Sequence, residues 1–315
     1  IIFNLDLYAI YFINFSMLYH NDKSILFFNG VFKNVNDFRI SPFNQTLHYG
    51  YGVFEGIRAY KAEQGPHIFK ARRHFERLKN SAEKMNMQMP YSVQELINYA
   101  YELVERNDMS EAYIRPLVFM DKNMTLRALD ADKPNFLMTC WKWKRYYPSN
   151  HLNILVSSWR RPHPRTMPVD TKVTGNYVNS ILATREAHQK GYDDPLLLDV
   201  EGYIATGAGS SFFMEKDGQL IVPPLTNIFP SITRDTLIDI ATQMGVDVIE
   251  RQFGVEDVME ADGAFFAGTA AEVSGIGSIN GHKMKLPWED TIGHLLHNRY
   301  KRIVSGKDTN FLEYF

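Results

Sequence analysis

The sequence has almost no cysteine and no strong excess of charge of either sign. Cys140 is the only cysteine among 315 residues, which excludes an intrachain disulfide and a metal cluster built on cysteines. The formal net charge is −2, so the charge balance does not favour nucleic acid or an anionic membrane as a partner. The ten histidines lack the spacing of metal ligands, and we predict no metal site. The remaining composition, 45% hydrophobic and 22% charged, is typical of a globular cytoplasmic protein.

One long apolar run lies at the start of the chain, in residues 1–16. It lacks a basic n-region and a small-residue cleavage site, and it contains Asn4, Asp6 and Asn14. The chain begins with Ile, and Met17 is its first methionine. We therefore interpret residues 1–16 as a non-native or disordered extension from translated upstream sequence or a misplaced start.

The first half of the remaining chain has the pattern of a small α+β domain, which we place at residues 17–147. Its predicted elements are a hairpin at Asn29-Gly30, helices at about 74–87 and 93–107, and strands at 113–119 and 135–143. The polar stretch 145–150, which contains Pro148, is the predicted linker.

The second half, residues 148–315, is predicted to form a larger domain. Its predicted strands are 152–159, 195–199, 203–204, 211–215 and 219–222, and its predicted helices are 177–190, 232–244 and 288–304. Glu201-Gly202 and Asp217-Gly218 supply two short turns. Short strands and hairpins therefore dominate this half, with helices outside them. A chain of this length can form two domains with separate cores.

Three segments of this half have residues suited to ligand chemistry. The helix after Pro230 begins with 231–234 (SITR), and first-turn N–H groups can bind a phosphate, although nearly every helix start is capped. Residues 268–270 (GTA) let a ligand approach the backbone, but an ordinary tight turn fits equally well. Lys172 lies just before a predicted helix. Partial desolvation at such a place would make its amine nucleophilic, but position alone does not distinguish Lys172 from the other lysines of the chain.

Several motifs taken together resemble the class IV (fold type IV) aminotransferases, and within them the branched-chain aminotransferases. The matching segments are HYGYGVFEGIRAY at 48–60, HFERL at 74–78, AYIRP at 112–116, KVTGNYVNSILA at 172–183, LLLDVEGYI at 196–204, SITRDT at 231–236 and GTAAEV at 268–273. The resemblance extends from about residue 28 to 279. It implies a two-domain α+β or α/β fold like that of D-amino-acid aminotransferase, whose larger domain has a β-barrel-like sheet. It also implies the cofactor pyridoxal 5′-phosphate (PLP).

The resemblance assigns cofactor roles to individual residues. Lys172 would hold PLP as a Schiff base and then move the α-proton as general base and acid. Tyr177 would hydrogen-bond the 3′-oxygen of the ring. The residues that would hold the 5′-phosphate are Arg77, Ile232, Thr233 and Thr269.

The substrate would lie on the other side of the cofactor. Tyr113 and the amides of Thr269-Ala270 would meet the α-carboxylate, and Arg115, on the same strand face as Tyr113, would meet the distal carboxylate of glutamate or 2-oxoglutarate. Arg58 would have a structural or orienting part. The aromatic residues of the apolar side-chain pocket would be Tyr49, Phe54 and Trp143, some of them from the second subunit of a homodimer or higher homo-oligomer.

One position departs from the family in a way that bears on mechanism. The family has a glutamate that pairs with the protonated pyridine nitrogen, and Thr206 stands in its place, with Ser211 in place of an asparagine. A threonine hydroxyl can only hydrogen-bond, and we expect it to donate to an unprotonated nitrogen, which weakens the electron sink. Asp121 and Lys144, where relatives often have glycine, add charge to the pocket rim.

Three functions remain open. The first is amino transfer between a branched-chain L-amino acid (Leu, Ile or Val) and 2-oxoglutarate, impaired by Thr206. The second is a related PLP reaction of class IV that needs less ring protonation, catalysed by an aminodeoxychorismate lyase, a racemase or a D-amino-acid aminotransferase. The third is a catalytically weak paralogue that serves as a binding protein.

Overall fold

The computed structural model describes residues 19–121, 124–127, 133–143, 145–147, 149 and 151–308. The extension at 1–16, Lys144 and Pro148 lie outside these described residues. The domain boundary between residues 147 and 148 stays a prediction.

The described residues form seven α-helices and sixteen β-strands. The helices are α1 (Gln45–Tyr49), α2 (Ala71–Lys84), α3 (Val93–Arg106), α4 (Tyr177–Gln189), α5 (Ile232–Gln243), α6 (Val255–Met259) and α7 (Ile292–Val304). The first strands are β1 (Ile25–Phe28), β2 (Val31–Asn34), β3 (Gly52–Phe54), β4 (Ile57–Ala62), β5 (Gly65–Ile68), β6 (Ala112–Phe119), β7 (Asn135–Trp141) and β8 (Leu152–Arg160). The others are β9 (Asp194–Leu198), β10 (Ile204–Gly207), β11 (Ser211–Lys216), β12 (Gln219–Val222), β13 (Val248–Glu250), β14 (Gly263–Gly268), β15 (Glu272–Ile279) and β16 (His282–Lys283).

The first sheet contains β1 to β7 in the order β2-β1-β7-β6-β4-β5, with β3 paired to β6. The predicted hairpin is confirmed: Asn29 and Gly30 both have positive φ, and Phe28 pairs with Val31. Helices α2 and α3 place their apolar faces in one core with this sheet, where Leu78 and Leu103 are fully buried. A spacing of three or four residues between buried positions produces such a face.

The second sheet closes into a barrel. Strands β10-β9-β8-β15-β14-β11 are each paired to the next, and β10 also pairs with β11, so these six strands form a closed ring. Both faces of β9 and β14 are buried, which explains their nearly continuous apolar sequences. Helices α5 and α7 cover the barrel, with Leu237 and Tyr300 buried against Phe265. The barrel-like sheet predicted for the second half is confirmed.

Lys172 lies where the first sheet meets the barrel. The amide of Phe54 donates to the carbonyl of Lys172 at 3.1 Å, and Val53 forms a β-bridge with Val173. Gly50 and Gly175 pass so close that a Cβ on Gly50 would lie 2.7 Å from the Cα of Gly175. The segment that carries Lys172 is therefore fixed against β3.

The predicted elements are present, and their ends differ by a few residues. The helix predicted at 74–87 begins at Ala71, directly after Lys70 in the left-handed conformation, and ends at Lys84. The helix predicted at 288–304 begins only at Ile292: residues 288–290 form a 3₁₀ turn, and the Thr291 side chain caps α7. Among the described residues, no helix has both the length and the apolar composition needed to cross a bilayer.

Candidate active site

A cavity of about 1140 Å³ opens beside Lys172, between the first sheet and the barrel. It brings together most of the residues predicted for the site. Those that line it are Phe54, Arg77, Tyr113, Arg115, Trp143, Lys172, Tyr177, Thr206, Thr269 and Ala270. Four predicted residues do not line it: Tyr49, Arg58, Ile232 and Thr233.

The amine of Lys172 is held by a tyrosine and faces an aromatic ring. Its Nζ donates to the hydroxyl of Tyr177, the first residue of α4, at 2.8 Å. It also lies 4.4 Å from the ring centroid of Phe229. Lys172 and Tyr177 thus have the arrangement expected of a nucleophilic amine and a hydroxyl that can donate or accept its proton.

A second feature is a candidate anion site at the start of α5, where Ser231 and Arg77 line the cavity. The Ser231 side chain caps the helix by accepting from the amide of Arg234 at 3.2 Å. The amides of Ile232 and Thr233 donate to no acceptor among the described residues. Arg77 reaches the same point, where its Nη1 donates to the carbonyl of Pro230 at 2.7 Å. Unbonded helix-start amides beside a guanidinium favour a phosphate, so Ile232 and Thr233 would act through their backbones.

Sequence reasoning missed the carboxylate that holds Arg77. Glu55 is completely buried and accepts from Arg77 Nε at 2.6 Å and Nη2 at 2.9 Å, as well as from His74 Nδ1 at 2.9 Å. Burial alone would raise the pKa of Glu55, but the Arg77 guanidinium and the His74 bond outweigh it and hold the pKa well below its usual range. Burial lowers the pKa of His74.

Arg77 shares its helix with two acidic residues, Glu76 and Glu83. The helix faces Arg77 towards Glu55 instead, with His74 one turn away on the same side. The only signal in the sequence was that Glu55 and this histidine and arginine belong to two of the matching motifs.

Tyr113 and Arg115 lie side by side on β6, as their spacing predicts. Arg115 Nη2 donates to the Tyr113 hydroxyl at 3.4 Å, and the guanidinium lies 4.7 Å from the Phe54 ring centroid. Gly56 makes room for them, because a Cβ there would lie 1.9 Å from the Tyr113 hydroxyl oxygen. Arg115 forms no ion pair within the described part of the chain.

Arg58 and Trp143 hold the turn that contains Thr269 and Ala270. Arg58 Nη1 lies 3.3 Å from a carboxylate oxygen of Glu272, and Trp143 Nε1 donates to the carbonyl of Ala270 at 3.4 Å. Arg58 thus contacts the turn from outside the cavity, and the orienting part predicted for it stays a prediction.

Tyr49 lies away from the cavity of its own chain. Its side chain is 49% exposed, and its hydroxyl donates to the carbonyl of Met124 at 3.3 Å. The predicted aromatic pocket therefore contains Phe54 and Trp143 from one chain, and any contact of Tyr49 with the cavity requires a second copy.

On the side of the cavity where the family glutamate would lie, the described residues include no carboxylate. The Thr206 hydroxyl donates to the carbonyl of Gly207 at 2.8 Å. Its donation to a ring nitrogen stays a prediction. Among the described lining residues there is no Asp or Glu. Asp121 accepts from Asn44 Nδ2 at 3.4 Å and does not line the cavity.

The residues present fit PLP. An amine with a hydroxyl partner, aromatic surfaces, and Arg77 and Ser231 at the start of α5 all line one cavity, and the two unbonded amides of α5 directly follow Ser231. An aldehyde, an aromatic ring and a phosphate are the parts of PLP that these groups bind. The individual roles of the site residues stay predictions.

Comparison with known proteins gives a family and several relatives of known structure. The family model described as amino-transferase class IV matches residues 52–279. The branched-chain-amino-acid aminotransferase of Pseudomonas aeruginosa is 37% identical over 288 residues, which cover 90% of this chain and 94% of that protein.

Two solved structures illustrate the likeness in fold. The branched-chain aminotransferase of Thermoproteus uzoniensis with norvaline has a TM-score of 0.88 and 34% identity, covering 92% of this chain and 98% of that one. The branched-chain amino acid aminotransferase of Thermobaculum terrenum in its PLP (holo) form has a TM-score of 0.88 and 31% identity, covering 94% of this chain and 98% of that one. The family model and the relatives agree over most of the chain, with the cavity inside the matched region. The chain therefore belongs to the class IV aminotransferase family.

Proposed function

We propose that the protein transfers the amino group of a branched-chain L-amino acid (Leu, Ile or Val) to 2-oxoglutarate, with PLP as cofactor. Class IV aminotransferases depend on PLP. The observation that carries the proposal is the Lys172–Tyr177 pair, which shares one cavity with the anion site at the start of α5. The relatives named as branched-chain aminotransferases supply the substrate class.

When bound, PLP supplies an electron sink for the carbanion formed at the substrate α-carbon. Lys172 binds the cofactor through Nζ and afterwards moves the α-proton. The Tyr177 hydroxyl, 2.8 Å away, orients the amine and shares its proton. Arg77 and the amides of Ile232 and Thr233 hold the phosphate.

Substrate selection follows from other residues of the same cavity lining. The Tyr113 hydroxyl and the amides of Thr269 and Ala270 bind the α-carboxylate. Phe54 and Trp143 present apolar surface that suits a branched aliphatic side chain. Arg115 gives the same pocket a cation for the distal carboxylate of 2-oxoglutarate or glutamate, so one site serves both half-reactions.

A second candidate function is a class IV PLP reaction that needs little protonation of the ring nitrogen, such as that of a lyase, a racemase or a D-amino-acid aminotransferase. The observation that favours it is the absence of an acidic side chain among the described lining residues. Without a carboxylate, the cofactor is a weaker electron sink. This candidate shares the cofactor site and differs in product.

We also propose that two copies assemble with α1 at their interface, so that Tyr49 of one copy completes the pocket of the other. Apolar side chains of this region are exposed in the single chain: Phe43 by 67% and Leu47 by 64%. Sedimentation equilibrium of the wild type and of a Leu47→Asp variant tests this proposal, and a monomeric wild type would contradict it. The composition also leads us to propose a cytoplasmic location.

The purified holoprotein tests the reaction. Its absorbance spectrum should show a band at about 400–430 nm from PLP bound to a lysine. A panel of amino donors with 2-oxoglutarate should yield branched 2-oxo acids from Leu, Ile and Val. Pyruvate from a lyase substrate, racemised product, or turnover of D-amino acids alone would favour the second candidate. A protein without the band would be a binding paralogue.

A further inference from the structure

The charged side chains that line the cavity have one sign. Its described lining contains five cationic side chains and no acidic one: Arg77, Arg115, Arg161, Lys172 and Arg185. Its other titratable lining residues are Tyr113, Tyr146, Tyr177 and His188. Only Arg77 is ion-paired with a described carboxylate, that of Glu55.

Arg161 lies on the side of the cavity that contains Thr206. It directly follows β8, and its amide donates to the carbonyl of Leu198 at 2.9 Å. Leu197, the preceding residue of β9, pairs with Thr206 on β10. Arg161 and Thr206 are thus about two strand spacings apart, ~10 Å between backbones, with β9 between them. Since both side chains line the same cavity, an arginine side chain can span most of that distance.

The guanidinium of Arg161 has no carboxylate partner among the described residues, although most of the residue is shielded from solvent. Its Nε is buried without an acceptor, and it forms no ion pair with any described residue. Burial lowers its pKa below the ordinary value for arginine, and a nearby Tyr177 acts in the opposite sense. An unpaired buried cation is costly, so the arrangement favours a ligand that brings an acceptor to Arg161.

Thr206 cannot replace the missing carboxylate. A hydroxyl has one hydrogen, and that of Thr206 is donated to the carbonyl of Gly207. A glutamate in this place would add a carboxylate to the cavity lining that Arg161 shares. With threonine, no described carboxylate of the lining offsets the charge of Arg161.

We propose that Arg161 holds the ring nitrogen of bound PLP in its unprotonated form by donating an N–H to the nitrogen lone pair. The proposal rests on the proposed PLP-dependent function. A guanidinium donates hydrogen bonds and accepts none, so it stabilises the neutral nitrogen and repels the protonated one. This chain thereby reverses the polarity that a carboxylate gives to that end of the cofactor.

The test uses holoprotein loaded with PLP that is labelled with nitrogen-15 in the ring, whose chemical shift distinguishes the protonated from the unprotonated nitrogen. The wild type should remain unprotonated between about pH 6 and about pH 9. Arg161→Met should raise the pKa of the nitrogen by at least about one unit, a tenfold change in its protonation equilibrium. Arg161→Lys keeps the cation and should behave like the wild type. Arg185→Met, the matched control at the exposed edge of the same cavity, should change nothing.

Three results would overturn the proposal. The first is a protonated nitrogen in the wild type that still carries PLP on Lys172; the proposed function would then stand alone. The second is an Arg161→Met holoprotein whose nitrogen is unchanged while the pKa of the lysine-bound group shifts, which would place Arg161 at the 3′-oxygen. The third is a wild type that binds no PLP, and this would remove the proposed function as well.

Thermal unfolding of the apoprotein provides a measurement that does not depend on the cofactor. Arg161→Met should leave the melting temperature equal or higher, because it removes an unpaired buried charge. A marked loss of stability would show that Arg161 has a structural partner and would contradict the proposal.

Discussion

Two arginines of one cavity differ in how the protein compensates their charge. Arg77 is bound by two of its nitrogens to Glu55, a carboxylate with no exposure to solvent, and His74 binds the same carboxylate. Arg161 is also largely buried and has no described carboxylate partner. Glu55 thus neutralises Arg77, the arginine proposed to hold the phosphate of PLP. The charge of Arg161, the arginine proposed to contact the pyridine nitrogen, is left for the ligand to compensate.

The difference separates two ways of preparing a site. A guanidinium fixed by a buried carboxylate keeps its position without ligand, so Arg77 is preorganised for the phosphate. An uncompensated guanidinium gains its partner only when the ligand arrives, so Arg161 acts on the electronic state of that ligand. Binding and reactivity are therefore governed by different arginines of the cavity.

The largest expected effect is that of Lys172→Ala, which removes the group between the two ends. The variant should lose the absorbance of lysine-bound PLP and all detectable turnover, because no other described amine lines the cavity. The phosphate end stays intact, so equilibrium dialysis should still detect weak PLP binding. A variant that retained both the band and turnover would refute the assignment of Lys172.

Replacing Glu55, the carboxylate partner of Arg77, should lower the free energy of unfolding. Glu55→Gln keeps the size of the side chain but leaves the Arg77 charge buried and unpaired, and removing one partner of a buried pair costs about 3–5 kcal/mol of unfolding free energy. Urea unfolding of the apoprotein at neutral pH measures the loss. The affinity for PLP should fall as well, because Arg77 is no longer held against the carbonyl of Pro230.

The matched control is Arg161→Met, measured under the same conditions. If compensation separates the two arginines, Glu55→Gln destabilises the apoprotein and Arg161→Met does not. Equal losses of unfolding free energy in the two variants would abolish the distinction between the two arginines.

The contribution of Glu55 to stability should also depend on pH. Because the pKa of Glu55 is depressed in the folded protein, its stabilising contribution is complete above the unfolded pKa of about 4.3 and declines as the pH falls further.

The same contrast explains what could be predicted from sequence. Lys172 and Tyr177, five residues apart at a helix start, were found because local motifs carry them, and the structure joins them by a hydrogen bond. The hairpin at Asn29-Gly30 was found because the turn chemistry is local as well. Glu55 and Arg161 were missed, since their roles depend on contacts or absences across the chain. A bond between residues 55 and 77 arises from how α2 packs on the first sheet, and periodicity alone does not give the partner.

Asp194 presents the reciprocal case, a buried carboxylate with a hydroxyl as partner. The Tyr147 hydroxyl donates to Asp194 at 2.5 Å, but burial prevails and raises the pKa of the carboxyl to about 6. Because this folded pKa lies above the unfolded one, the stabilising contribution is complete below about pH 4 and is lost as the pH rises through about 6.

Asp194→Asn should therefore be neutral at about pH 4 and more stable than the wild type by up to about 3 kcal/mol at about pH 8. Urea unfolding at the two pH values measures the difference. Tyr147→Phe is the control: it removes the hydrogen bond to the charged form and should destabilise mainly at the higher pH. A pH-independent effect of Asp194→Asn would mean that the carboxyl does not titrate in this range.

The smallest effect in free energy, and the one that bears most directly on the reaction, is expected from Thr206→Glu. The new carboxylate would give Arg161 a partner and give the ring nitrogen an acceptor, which turns the uncompensated end into a compensated one. We expect a stronger spectroscopic signature of the protonated cofactor and a kcat for leucine and 2-oxoglutarate raised about tenfold, equivalent to about 1.4 kcal/mol in activation free energy. Thr206→Gln has the same size without charge and should give no such gain. If Thr206→Glu left transamination unchanged or lowered it, protonation of the ring would not limit this enzyme, and the missing carboxylate would reflect a different reaction.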